Sequence, residues 1–347
     1  MIITYKYTGD GSTGVKFEKS FALITNYMRK RMYSFFWKTQ IIIILTLLML
    51  AATNLYDSVL EAGNMRIAVV YSQKAAQYEK AFEGFKQYLN EQGIHPDFSI
   101  YDLQGSKSTA DSAFKEIKKS EADLIFSLGT FASNIAVESI TDVPVIVGLV
   151  LRPDNFQKKK NATGVALEFP IETQLKMLRS FIPNARKIGV VYNQEQNGNL
   201  IRSAIKTAES MGLVLDAVEI SSPSELPIAL KQLSQKVDIL WGINDSVVLN
   251  SKTAKNILLF SYRNHIPFIG LSTAWVKSGA IYSLDRDYTY LGIQCGEIAF
   301  KVLSGVNVNS IPISFPGKVI YAINLKTAEH MKINFKDEIV SNAHKVF

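Results

Sequence analysis

The chain has 347 residues, enough for a large core or two lobes, and 47 % of them are apolar, which excludes a disordered or low-complexity protein. Its formal charge is +7, but Lys6, Lys16, Lys19, Arg29, Lys30, Arg31 and Lys38, against Asp10 and Glu18, place five of those charges in the first forty positions. Beyond them Lys and Arg are scattered over predicted helix faces, which excludes a nucleic-acid-binding stripe.

The first predicted element is an export signal. In "RKRMYSFFWKTQIIIILTLLMLAA" (Arg29–Ala52) a basic stretch precedes the apolar run Ile41–Ala52. That run is shorter than the roughly twenty residues of a membrane-spanning helix and suits a signal peptide. Extended back through Tyr33–Trp37, it would serve as a retained anchor instead. Residues 28–62 are therefore a signal peptide or N-terminal anchor, residues 1–27 an upstream extension, and the expected location is periplasmic. "GDGSTG" (Gly9–Gly14) fits the glycine spacing of a dinucleotide loop. It lacks the βαβ unit and the acidic residue about twenty positions on, since position 34 is Ser34, so it is rejected.

From Met65 apolar strands alternate with amphipathic helical stretches. "RIAVVYS" is followed by the helix "QYEKAFEGFKQYLNEQG", then "DFSIYDL", a helix near Ser108–Lys119, "ADLIFSLG", a helix from Thr130, and "VPVIVGLV". The second half runs in the same order. "KIGVVYN" leads into a helix over Asn199–Met211, then "LVLDAVEI", a helix near Glu225–Gln235, "VDILWGIND", another helix, and "IPFIGLST". Continuous apolar strands between helices predict parallel sheets covered on both faces. Three strands of one half answer three of the other at offsets of 121, 115 and 123 residues (Arg66 with Lys187, Ala122 with Val237, Val143 with Ile266). The fold class is therefore α/β, with two Rossmann-like lobes in tandem.

Such sheets bind ligands beyond the carboxyl ends of their strands. The residues closing the duplicated strands are Ser72 and Gln73, Ser127, Gly129 and Thr130 in the first half. In the second they are Asn193 and Gln194, Asn244 and Asp245, and Ser272 and Thr273. The single cysteine, Cys295, allows no intramolecular disulfide; within "YLGIQCGEIAFKVLSG" it shares a helical spacing with Leu291, Ile298 and Val302, which predicts a core position.

From about Met65 to Asn334 the chain resembles the ABC-transporter substrate-binding proteins of the tryptophan/tyrosine-binding type. The stretches that carry the resemblance are "SLGTFAS" (Ser127–Ser133), "VKSGAIYSLDRDYTYLG" (Val276–Gly292), "KVLSGVNVNSIPI" (Lys301–Ile313) and "YAINLKTAEHM" (Tyr321–Met331). The resemblance implies a periplasmic-binding-protein fold of the first class, with two lobes hinged by three crossovers near Gly164–Pro170, Ser283–Asp287 and Ser314–Lys318. Residues 63–166 plus 286–314 would form the first lobe, 167–285 plus 315–335 the second, and 336–347 a C-terminal tail. One departure is "VLRPDN" (Val150–Asn155), where the family often has a Thr-Asp-Pro turn. Arg152 at the cleft rim would alter the preferred ligand charge, hold a second acidic group or close the lobes by a salt bridge.

Within the cleft, Gly129 lets the backbone approach closely. Thr130, which can cap the following helix, and the free N–H groups of that helix would hold a carboxylate; Thr130 as a helix cap alone is the alternative. Asp245, with Asn244, would pair with an ammonium. Asp245 as a plain helix cap is the alternative. Asn193, Gln194, Ser72 and Gln73 are either ligand contacts or turn residues. Phe131 and Tyr288 stand out among the aromatic residues for stacking, while Tyr71, Tyr192 and Trp241 read as core. The four histidines lie far apart and no nucleophile elbow or phosphate loop is present, so neither an enzyme nor a metal or cofactor site is expected. The expectation is an exported, monomeric solute-binding protein that captures a small ligand, an amino acid, and delivers it to an ABC permease in the membrane. The alternative is a ligand-sensing protein that presents its ligand to a membrane receptor.

Overall fold

The computed structural model describes residues 65–151 and 153–347. The predicted export segment, the upstream extension and Arg152 lie outside the described residues.

The first half runs β1 (Arg66–Tyr71), α1 (Ala76–Glu91), β2 (Asp97–Asp102), α2 (Lys107–Ile117), β3 (Leu124–Leu128), α3 (Thr130–Ser139), β4 (Val145–Val150), α4 (Asp154–Gln157) and β5 (Ala162–Ala166). Its strands form one parallel sheet in the order β2-β1-β3-β4-β5. β3, β4 and β5 are buried at every position, because helices cover both faces, and so they read as unbroken apolar runs. β2, at the edge, keeps the polar alternation "DFSIYD" and is half-exposed.

The second half continues with α5 (Ile171–Phe181), β6 (Lys187–Tyr192), α6 (Gln194–Ser210), β7 (Val214–Glu219), α7 (Leu226–Leu233), β8 (Ile239–Trp241), α8 (Ala254–Asn264), β9 (Phe268–Gly270), α9 (Thr273–Lys277) and β10 (Tyr282–Arg286). Then come α10 (Tyr288–Leu303), β11 (Val319–Ile323), α11 (Leu325–His330), α12 (Asp337–Ser341) and β12 (Lys345–Val346). The second sheet has the order β12-β11-β10-β9-β8-β6-β7. Its inner run β7-β6-β8-β9-β10 repeats the strand order of the first sheet. β11 is added antiparallel to β10, and β12 parallel to β11.

The duplication extends to single side chains. Asp123, ahead of β3, accepts the Arg66 backbone N–H at 2.8 Å, and Asp238, ahead of β8, accepts that of Lys187 at 2.8 Å. Each carboxylate satisfies a donor at the start of its lobe's first strand, a group that the sheet ladder leaves unpaired.

The chain passes between the sheets three times: after β5, after β10 and ahead of β11. The second passage begins later than the polar "SLDR" suggests. Those residues belong to β10, which pairs with β11 from Tyr282 to Arg286. The closing residues 337–346, read as a tail, contain α12 and β12. Ile339 of α12 is buried in a core of the second lobe, while β12 pairs with β11.

α10 leaves the second sheet and packs on α1 of the first half. The approach is close enough that a Cβ on Gly84 would overlap the Thr289 carbonyl, and one on Gly292 the Ala81 carbonyl. Cys295 of α10 is buried in that core, and burial pushes its thiol up, away from ionisation. Among the described residues no helix is long and apolar enough to cross a membrane.

Candidate functional site

The carboxyl ends of β1 and β3 build one wall. Ser72 Oγ donates to the Leu128 carbonyl at 3.0 Å and accepts the Ala132 N–H at 3.0 Å, so it ties the end of β3 to the first turn of α3. Gly129 sits between them at φ +91°, a conformation that favours glycine. A Cβ there would run into the Tyr78 hydroxyl and Ser72 Oγ. Tyr78, from the start of α1, therefore lies over the glycine. Burial raises its phenol pKa, and a hydrogen bond with Ser72 partly opposes that. Thr130 does not cap α3 as the sequence suggests: its Oγ1 accepts the Leu151 N–H at 3.0 Å, joining the ends of β3 and β4. No side chain of the N-cap residue, Gly129, closes the helix start.

β10 and the segment after it build the other wall. Asp285 accepts the Thr273 hydroxyl at 3.2 Å through Oδ2 and the Arg286 N–H at 2.9 Å through Oδ1. The Arg286 guanidinium donates from Nε to the Leu167 carbonyl at 2.7 Å and lies 5.0 Å from the Phe169 ring centroid. Tyr288, three residues after Asp285, packs instead on the core of the first lobe, as Tyr78 does. Its phenol pKa is raised by burial first and by the Asp285 charge next; the Arg286 charge opposes this and Tyr78 adds to it.

Beside Arg286 a recess of about 460 Å³, counting its open mouth, enters the second lobe at the ends of β8, β9 and β10. Phe169 and Trp241 give it aromatic sides. Gln174 accepts Trp241 Nε1–H at 3.1 Å and donates to the Phe169 carbonyl at 2.9 Å, which holds both in place.

The structure turns several expected residues inward. The Asp245 carboxylate is 1 % exposed and accepts four hydrogen bonds, from the N–H groups of Asn193 (2.7 Å), Val247 (3.0 Å) and Val248 (3.1 Å) and from Asn197 Nδ2 (2.8 Å). It organises its own loop and is withdrawn from any ligand ammonium, which corrects the sequence expectation. Asn193 is equally engaged, donating Nδ2–H to the Ile220 carbonyl at 3.0 Å and capping α6. Ser127 is fully buried against Ser133 at 3.0 Å, and Phe131 packs on the core of the first lobe. Gln194 folds over Gly198 of its own helix. Gln73 and Asn244 are exposed, and Ser272 starts α9 without capping it.

Of the expected residues, Ser72, Gly129, Thr130 and Tyr288 lie with the first lobe, while Thr273 shares the second wall with Asp285. Tyr78, Phe169, Gln174, Asp285 and Arg286 were not singled out in the sequence. Asp285 and Arg286 lie inside "VKSGAIYSLDRDYTYLG", one of the stretches carrying the family resemblance, and that was the available signal. Tyr78 opens an amphipathic helix, and nothing in its spacing distinguishes it from a solvated residue. Among the described residues no group of three or more His, Cys, Asp or Glu side chains is placed to hold a metal.

Comparison with known proteins gives a consistent picture. A family model described as "ABC transporter substrate binding protein" matches residues 65–347. A curated relative, "Tyrosine-binding protein" of Clostridioides difficile strain R20291, is 27 % identical over 272 residues, covering 74 % of this chain and 78 % of the relative. Among solved structures, the ligand-free, open form of a substrate-binding protein with adhesive properties from Clostridium difficile superposes with a TM-score of 0.70 at 22 % identity. It covers 81 % of this chain and 99 % of the other. An ABC domain in complex with L-Trp from Streptococcus pneumoniae gives 0.59 at 22 % identity, covering 82 % and 100 %. At that identity the structural likeness establishes the fold: a periplasmic-binding-protein fold of the first class.

Proposed function

The chain belongs to the ABC transporter substrate-binding protein family, and from that premise we propose that it captures an amino acid with an aromatic side chain between its lobes and hands it to a membrane permease. The observation that carries this reading is that Tyr78, Thr130 and Tyr288 gather on the first lobe while Asp285, three residues before Tyr288 at the end of β10, stands on the second. The ligand carboxylate meets the Thr130 hydroxyl and the first N–H groups of α3, beside the Ala132 N–H that Ser72 Oγ already accepts, where the helix dipole favours an anion. Its ammonium pairs with Asp285, which takes the role first expected of Asp245. The Tyr78 and Tyr288 rings flank the side chain, since aromatic faces favour stacked or edge-on partners.

The names of the relatives support the aromatic preference, one being a tyrosine-binding protein and another a complex with L-Trp. Binding rather than turnover, export to the periplasm and action as a monomer complete the proposal. A thermal-shift panel of the purified chain tests it. Binding to the native state alone stabilises by mass action, about 2.7 kcal/mol at a hundredfold excess over Kd. L-Tyrosine, L-tryptophan or L-phenylalanine should raise the melting temperature. A rise with sugars or nucleosides and none with these three would overturn the reading.

A further inference from the structure

We propose that Arg286 and Asp287 form a brace that fastens the three crossovers to one another and sets how readily the hinge closes on its ligand. The two residues are consecutive and flank the second crossover, Arg286 as the last residue of β10 and Asp287 as the N-cap of α10. Their side chains reach in different directions. Arg286 reaches the first crossover, with its Nε–H on the Leu167 carbonyl at 2.7 Å and its guanidinium plane against Phe169. Asp287 reaches the third, where its Oδ2 meets Lys318 Nζ at 2.7 Å. Two turns along α10, Gln294 reinforces the second link by accepting the Gly317 N–H at 2.9 Å and donating to the Phe315 carbonyl at 3.3 Å.

Asp287 also caps α10, accepting the Tyr290 N–H at 3.1 Å. The helix that packs on the first lobe therefore starts at the residue holding the ion pair. Arg286 lines the recess in the second lobe, so one side chain touches both the hinge and the site. A hinge is a few residues that absorb the backbone change of closure. Bonds between the crossovers restrict the range over which they move, and ordering before ligand arrives lowers the cost of closing. Arg286 and Asp287 are thus positioning residues. They organise the crossovers so that closing on a ligand orders less chain.

The inference rests on the reading of the chain as a closing binding protein, and its test separates the two. Asp287→Asn keeps a good helix cap but removes the charge, and Lys318→Met removes the partner at a position outside the site. An ion pair with one partner half-exposed has a modest effect, so each variant of the full chain should weaken L-tyrosine binding about two- to fivefold. The double variant should be no weaker than either single one, while the melting temperature of the empty protein stays nearly constant. Arg286→Lys, which loses the Nε contact and the planar stack, should weaken binding more. Hydrogen exchange of the ligand-free protein supplies the independent arm: both single variants should speed exchange at Gly317 and leave β3 and β8 unchanged. Unaltered exchange at Gly317, or affinity that is unchanged or tighter in both single variants, overturns the brace. A wild-type chain that ignores aromatic amino acids overturns the binding proposal alone, because the exchange measurement needs no ligand.

Discussion

The two lobes share a strand order, yet they use their strand ends in opposite ways. In the first lobe β3 ends at Leu128, Gly129 alone separates it from α3, and the hydroxyls of Ser72, Tyr78 and Thr130 gather around that turn. In the second lobe β8 is followed by a loop of twelve residues before α8, and the most polar of them, Asp245, is folded inward as the hub of four hydrogen bonds. A short connection leaves backbone N–H groups at the surface of the cleft; a long one has its own N–H groups to satisfy and recruits a carboxylate to do it. Position at a strand end therefore confers access to a ligand only when the connection makes no demand on the side chain. In the proposed site the acidic group of the second lobe comes from β10 instead, as Asp285.

The sharpest way to break that contrast is Asp245→Ala. It strands three backbone donors and Asn197 in a buried loop, and since bonds to a charged acceptor contribute about 1.5–3 kcal/mol each and are only partly replaced by water, we expect about 3 kcal/mol or more of lost stability in denaturant unfolding. Asp285→Ala should do the reverse, with a small effect on the unfolding midpoint and a loss of L-tyrosine affinity of tenfold or more by calorimetry. If Asp245→Ala left stability intact and only binding fell, the roles of the two aspartates would have to be exchanged.

On the first wall, Gly129→Ala places a side chain at φ +91° and against the Tyr78 hydroxyl. Left-handed strain and displacement of the ring together should destabilise by about 1–3 kcal/mol and weaken binding as well. Thr130→Val keeps the shape but leaves the Leu151 N–H without its acceptor, which costs about 1–3 kcal/mol if that group stays buried. The accompanying loss of affinity would locate the ligand carboxylate.

The smallest expected effect is a titration. The Tyr71 phenol is pushed up to about 12 by burial, then by the charges of Glu79 and Glu83. Between pH 10 and about 12 the unfolded chain releases this proton while the folded chain keeps it, so stability is complete below pH 10 and falls through that window. Tyr71→Phe should remove part of the alkaline slope and leave the neutral value unchanged. An identical slope in the variant would contradict the assignment.

The contrast between the lobes also explains how far the sequence could be read. The duplication of "RIAVVY" as "KIGVVY" was legible because a strand buried on both faces must be apolar throughout, and two such strands at near-constant spacing declare two sheets. Gly129 was legible as a turn because a glycine between a buried strand and a helix suits a left-handed backbone, and it has φ +91°. Asp245 stayed open between ligand partner and cap because a carboxylate at a strand end has the same letter whether it faces the cleft or its own loop, and only the length of the following connection hinted at the difference. Arg286 and Phe169 were missed because they meet across the hinge, 117 positions apart in the chain, through a contact that no local pattern records.

The central claim is that the strand ends of both lobes close on one aromatic amino acid. Small-angle scattering of the purified protein, with and without saturating L-tyrosine, tests it directly. Closure predicts a smaller radius of gyration on adding ligand, and no such change in the Asp285→Ala variant. An unchanged radius in the wild type under conditions where calorimetry reports full occupancy would contradict the account.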